Sequence, residues 1–154
     1  MYPLSHFFLG LIFSLFLIIL FPQIGLVGFF LILASTVLID VDHYIYYIYK
    51  KKDFSLVNAY NWFAKKKDKL ILKSRKQRNK IFFGIYFLHG FEMLFILLLA
   101  TIFISKFFLF IMLAFNFHLL LDIIETKTYL DRPIKISLIY DLISSRNLKE
   151  ITTD

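Results

Sequence analysis

Long charge-free apolar runs, broken by short polar interruptions, dominate the first four fifths of this chain. From Met1 to Ile39 there is no Asp, Glu, Lys or Arg. The first run, Phe7 to Phe21, stops at Pro22-Gln23, and a second runs from Ile24 to Ile48. Proline and Gly25 interrupt a helix there, so the pair reads as a tight helical hairpin. A third run covers Ile81 to Ser105 and a fourth Phe107 to Ile124, with Lys106 between them. One unbroken helix over both would extend ~65 Å at 1.5 Å per residue, about twice the ~30 Å hydrocarbon core of a bilayer. A turn is therefore expected at Lys106. The first run has no preceding basic residue and no small-residue cleavage site after it, so it reads as a retained span. The pattern predicts one all-α domain, an integral membrane four-helix bundle with spans at about 5–21, 24–48, 81–105 and 107–125.

Between the second and third spans, residues 50–80 hold 12 of the 18 basic residues against Asp53 and Asp68. The positive-inside rule places this loop, and with four spans both termini, on the cytoplasmic side of the cytoplasmic (inner) membrane. Phe54, Leu56, Val57, Tyr60, Trp62 and Phe63 precede Lys65-Lys66-Lys67, an amphipathic pattern suited to an interfacial helix on anionic headgroups. Nucleic acid is not an expected partner. Ile134, Leu138, Ile139, Leu142 and Ile143 recur at helical spacing, which predicts a second surface helix over about 133–145. Tyr44, Tyr46, Tyr47 and Tyr49 read as an interfacial belt, and Asn116 as an interhelical hydrogen-bonding residue. Composition agrees: 59% of residues are hydrophobic, which excludes an ordinary soluble domain. The absence of Cys removes disulfides, thiolate metal sites and cysteine nucleophiles.

Ionisable side chains inside spans cost about 2.5–3.5 kcal/mol each at the helix centre, so their positions carry information. They are His6, Asp40, Asp42, His43, His89, Glu92, His118 and Asp122, and they include all four histidines. Each falls within roughly 15 Å of the cytoplasmic end of its helix at 1.5 Å per residue. His118 and Asp122 are four apart, His89 and Glu92 three apart, and Asp40 and His43 three apart, each pair on one helical face. Imidazole and carboxylate without sulfur suit one or two divalent ions, zinc or manganese above all. Each pair also has a simpler reading: a headgroup contact for His6, an interhelical hydrogen bond for His118–Asp122, a salt bridge for Asp40–His43, a proton relay for His89–Glu92. In the metal reading all eight residues are candidate ligands, and Asp42 or Glu92, if left free of metal, is the candidate general base.

These residues resemble the YdjM-like family of small membrane-bound metal-dependent hydrolases. The likeness rests on Ser5-His6-Phe-Phe-Leu-Gly10, on Leu38-Ile39-Asp40-Val41-Asp42-His43, similar to the family's P-D-x-D-H, on a histidine in the third span, and on His118-x-x-x-Asp122. Ile39 stands where the family has Pro, and His89-Gly-Phe-Glu92 replaces an H-R-G-x-T-H element, so a second His and an Arg are missing. The resemblance implies metal-dependent hydrolysis, and the site depth implies a phosphoester or lipid-linked substrate reached from the cytoplasmic face. An ion- or proton-coupled transporter, or a structural membrane protein stapled by a metal, are the alternatives.

Overall fold

A computed structural model describes residues 3–131, 134–146 and 148–150. Helix α1 (Pro3–Leu20) leads through a one-turn 3-10 segment at Pro22–Ile24 into α2 (Gly25–Leu38), so the hairpin expected at Pro22–Gly25 is present. A break at Ile39–Asp40 separates α2 from α3 (Val41–Lys51). After α4 (Leu56–Ile71) and the short α5 (Arg75–Arg78) come strand β1 (Ile81–Phe82), α6 (Phe91–Phe103), α7 (Phe107–Tyr129), α8 (Leu138–Ser145) and strand β2 (Lys149–Glu150). The two strands pair in parallel, Ile81 opposite Lys149.

Helices α1, α2 and α7 form the apolar body. They bury mostly small or polar residues, His6, Gly10 and Ser14 on α1, Gly28, Ser35 and Thr36 on α2, Ala114, His118 and Asp122 on α7, together with the apolar Ile32, Phe115 and Leu119. Small side chains let membrane helices approach closely, and a Cβ on Gly10 would collide with the Thr36 hydroxyl. Outward, α1 exposes Leu4, Phe8, Ile12, Phe16 and Ile19. A helix apolar all round suits a lipid environment. Pro3–Leu20, Pro22–Lys51 and Phe107–Tyr129 are each long and apolar enough to cross a membrane.

The segment predicted as the third span, 81–105, differs. Only Phe91–Phe103 is helical, 13 residues or ~20 Å at 1.5 Å per residue, too short for a ~30 Å core. Residues 83–90 are not helical, and within them Gly84 takes φ +146°, where a Cβ would meet the Tyr86 hydroxyl oxygen at 2.7 Å. Among the described residues, three helices long and apolar enough to span and one shorter apolar helix stand where four spans were expected. The turn before α7 does fall at 104–106.

The basic segment folds back on the body. Ser55 caps α4, its hydroxyl accepting from the Asn58 amide at 3.2 Å, and Ala59, Trp62, Lys66 and Leu70 form its buried face. Tyr46, Tyr47, Ala59, Trp62 and Tyr86 pack into one core cluster. Two of the four tyrosines expected in an interfacial belt are thus core residues, because α4 covers the aromatic face of α3. Asn116 is exposed on α7, not between helices. At the C-terminal end the expected 133–145 helix begins only at Leu138, while Arg132 and Pro133 lie outside the described residues.

Candidate metal centre

Four segments deliver polar side chains to one layer: the start of α1, the α2–α3 break, the non-helical residues before α6, and the middle of α7. His6, His89 and His118 are fully buried, and Asp42 and Asp122 nearly so. Burying polar groups in an apolar body costs unless each finds a partner, so the partners can be followed one by one.

His118 donates Nδ1–H to the Thr36 carbonyl at 2.8 Å, and His89 donates Nδ1–H to Asp42 Oδ2 at 3.0 Å. Both bonds fix the tautomer, leaving Nε2 of each ring as a lone pair. Those two nitrogens face each other at 3.1 Å, a contact that neutral imidazoles tolerate only with a proton or a cation between them. Asp40 Oδ1 lies 3.6 Å from each of them, and Asp122 Oδ2 lies 3.5 Å from His89 Nε2 and 3.8 Å from His118 Nε2. A tetrahedron of nitrogen and oxygen ligands at ~2.0–2.2 Å from a central ion has edges of about 3.3–3.6 Å. Five of the six separations among these atoms, 3.1–3.8 Å, bracket that length, a spacing suited to a metal ion.

His6 lies beside this group, its ring stacked on His118 at 3.8 Å. Its Nε2 is 3.5 Å from Asp122 Oδ1 and 4.0 Å from Asp40 Oδ2. Among the described residues, neither His6 nitrogen has a hydrogen-bond partner, and neither has Asp40 Oδ2, although all are buried. Asp40 and Asp122 therefore turn one oxygen toward His89 and His118 and the other toward His6. The groups His6–His118–Asp122 and Asp40–His43–His89 each bring ligand atoms within 4.8 Å of one another and can hold a metal ion.

Asp42 has a different neighbourhood. Oδ1 accepts from His43 Nδ1 at 2.8 Å, and Oδ2 accepts from His89 Nδ1 and from the Leu88 amide at 2.9 Å. Its lone pairs are occupied by three donors, an arrangement that orients metal-binding histidines. His43 is held through Nδ1, stacks on Tyr86 at 3.9 Å and keeps an 18% exposed side chain. Glu92 is not among the clustered groups. Its carboxylate accepts from Ser137 Oγ at 2.5 Å and from the Leu138 and Ile139 amides at 3.1 and 3.3 Å, capping α8. The expected pairing of His89 with Glu92 fails because α6 begins at Phe91, so the two do not share a helix.

Lys135 joins the site without having been singled out in the sequence. Its Nζ lies 2.7 Å from Asp122 Oδ2 and 5.1 Å from the Tyr86 ring centroid. Burial alone would lower the ammonium pKa, but the Asp122 and Asp40 carboxylates outweigh it and hold the pKa above the ordinary lysine value. The backbone at Lys135 is left-handed, φ +58°, a conformation costing on the order of 1–2 kcal/mol in a non-glycine residue. A hydrogen bond from its amide to Asp141 Oδ2 at 2.9 Å, with Asp141 itself buried, keeps it there. A single lysine between Ile134 and Ile136 was the available signal.

Set against family models, curated proteins and solved structures, the chain matches none of them.

Proposed function

We propose that this protein is a membrane metal-dependent hydrolase that acts on a phosphoester at the cytoplasmic face. The observation that carries the reading is the pair of adjoining donor sets. His89, His118, Asp40 and Asp122 supply four ligand atoms to one position, and His6 with the second oxygens of Asp40 and Asp122 supplies three to the next. A three-ligand position keeps room for water or substrate, which separates a catalytic site from a structural one. Bound there, zinc or manganese would supply a water of lowered pKa and charge stabilisation at phosphoryl oxygens. The resemblance to the YdjM-like family points the same way, and the twelve basic residues of 50–80 favour the cytoplasmic side.

The chain's own residues divide the remaining work. Asp42 orients His89 and His43 through their Nδ1 protons. His43, thereby left with Nε2 as a lone pair and lining the cavity above the site, takes up and returns the proton. This role passes to His43 because the Asp42 oxygens are already occupied and Glu92 caps a helix. Asp40, Asp42 and Asp122 bring three negative charges against one positive charge on Lys135. Two divalent ions would turn that balance positive by two units, which suits an anionic phosphoester.

Elemental analysis of the purified protein in detergent tests the reading. Two ions per chain are expected, with one retained in His6→Ala and hydrolysis of a chromogenic phosphodiester lost in that variant. A chain that takes up no metal overturns it.

A further inference from the structure

Above the polar layer, between α4, the second half of α7 and the turn at 83–86, lies a cavity of about 370 Å³. Asp40, His43 and Asp122 form its floor, and Lys135 stands in its wall. The rest of the wall is largely apolar, with Leu56, Ala59, Phe63 and Leu70 from α4, and it also carries Lys66, Lys67 and Glu125. Such a volume is at the small end of the range for small-molecule sites, about 300–1,000 Å³, which suits one chain and one headgroup.

We infer that this cavity binds a single-chain amphiphile with a phosphate headgroup, the phosphate held by the Lys135 ammonium and the chain lying along the inner face of α4. The inference rests on the hydrolase reading for what then happens at the phosphate, whereas the contacts it names, Lys135 and the α4 wall, are the protein's own. Three observations converge on it. First, of the lysines lining the cavity, Lys67 reaches Glu125 at 2.9 Å and Lys66 the Phe83 carbonyl at 3.5 Å, whereas Lys135 stands beside the polar floor; an ammonium has three donors, and Asp122 Oδ2 takes one of them. The left-handed backbone at Lys135 and its Asp141 tether direct that ammonium inward to the cavity wall and not out to water. Second, the apolar walls would be left wet by a small soluble anion, and a neutral lipid would place nothing against Lys135. Third, Leu56 and Tyr60 line the cavity and are also 69% and 53% exposed, so the cavity has an apolar edge on α4 through which a chain can enter. The missing Arg of the family-like element thus has a counterpart in charge, though not in sequence position.

Calorimetric titration of the protein as purified, in a neutral detergent, with dodecylphosphonate tests this. The carbon–phosphorus bond resists hydrolysis, so heat reports binding alone. One equivalent is expected to bind, with inorganic phosphate and dodecanol each at least roughly tenfold weaker, as follows from losing either the apolar burial or one charge-assisted hydrogen bond. Thr126→Trp, which fills the cavity from α7 one turn beyond Asp122, should weaken dodecylphosphonate binding by a similar factor. So should Lys135→Gln, while Lys135→Arg, which keeps the charge, should bind nearly as wild type. Equal binding of inorganic phosphate, or wild-type affinity in both Thr126→Trp and Lys135→Gln, overturns the inference. Metal content measured on the same samples separates the two readings: metal without dodecylphosphonate binding sinks only this one, and dodecylphosphonate binding without metal sinks only the hydrolase.

Discussion

Asp40 and Asp42 are two residues apart, share one polar layer and differ in almost everything that matters for function. Asp42 receives three donors, from His43, His89 and the Leu88 amide, and is 1% exposed. Among the described residues, Asp40 keeps Oδ2 without a partner and faces His6, whose two nitrogens are also unpartnered. An unsatisfied buried polar group costs about 1–3 kcal/mol, so a fold that retains several together holds them for something it does not itself provide. Glu92 belongs with Asp42, its carboxylate consumed by the first turn of α8. Asp122 stands between the two, with Oδ2 bonded to the Lys135 ammonium at 2.7 Å and also 3.5 Å from His89 Nε2. Saturated carboxylates here build and orient, whereas Asp40, with Oδ2 unpartnered among the described residues, is open to an ion.

The contrast breaks most directly at Asp122. Asp122→Ala should abolish metal binding and also leave the Lys135 ammonium buried without its partner, a loss of about 3–5 kcal/mol in stability. Metal content and detergent thermal melts read the two effects. Undiminished metal would move Asp122 into the structural group. Asp42→Asn should act more gently, weakening metal affinity by about 10–100-fold in a chelator competition while leaving the stoichiometry at saturating metal unchanged. Complete loss of metal in this variant would make Asp42 a ligand. Smaller still, Glu92→Gln should cost about 0.5–2 kcal/mol of stability, in the range of a lost helix cap, with metal content at the wild-type level. A drop in bound metal would return Glu92 to the site.

The smallest expected effect lies outside the polar layer and serves as a reference for a carboxylate with purely architectural work. Asp53 accepts from the Tyr47 hydroxyl, the Ser55 amide and the Asn58 side chain, joining α3 to the start of α4, and these bonds lower its pKa. A carboxyl whose folded pKa is depressed stabilises the fold above its unfolded pKa of about 3.9 and loses that contribution as pH falls through the lower folded value. Asp53→Asn should therefore melt slightly earlier than wild type at neutral pH, and the difference should close on acidification. A gap that persists in acid would trace the effect to lost geometry, not charge.

Periodicity made much of this legible. His118 and Asp122 sit four apart on a continuous helix, and that face does turn inward. The early His6 and the Asp40–His43 stretch also reach the same layer, because apolar runs set the depth of whatever polar groups interrupt them. Glu92 misled for a definite reason: the three-residue spacing from His89 has meaning only if both lie in one helix, and Gly84 and the turn after it delay α6 until Phe91. Similarly, Tyr46 and Tyr47 have belt-like composition, and only the return of α4 over α3 makes them core.

Residue order along the chain thus determined an apolar helical body, its first hairpin turn, and the depth at which nitrogen and oxygen donors collect, since helix rise and the cost of buried charge are local and additive along a span. Tertiary structure alone decided which lone pairs remain open. Partner choice depends on which backbone ends happen to lie nearby: the Leu88 amide closes Asp42, the α8 amides close Glu92, and Lys135 reaches Asp122 from thirteen residues downstream through a left-handed turn. No spacing rule encodes those meetings, because each is a contact between segments whose separation in sequence is unrelated to their separation in space.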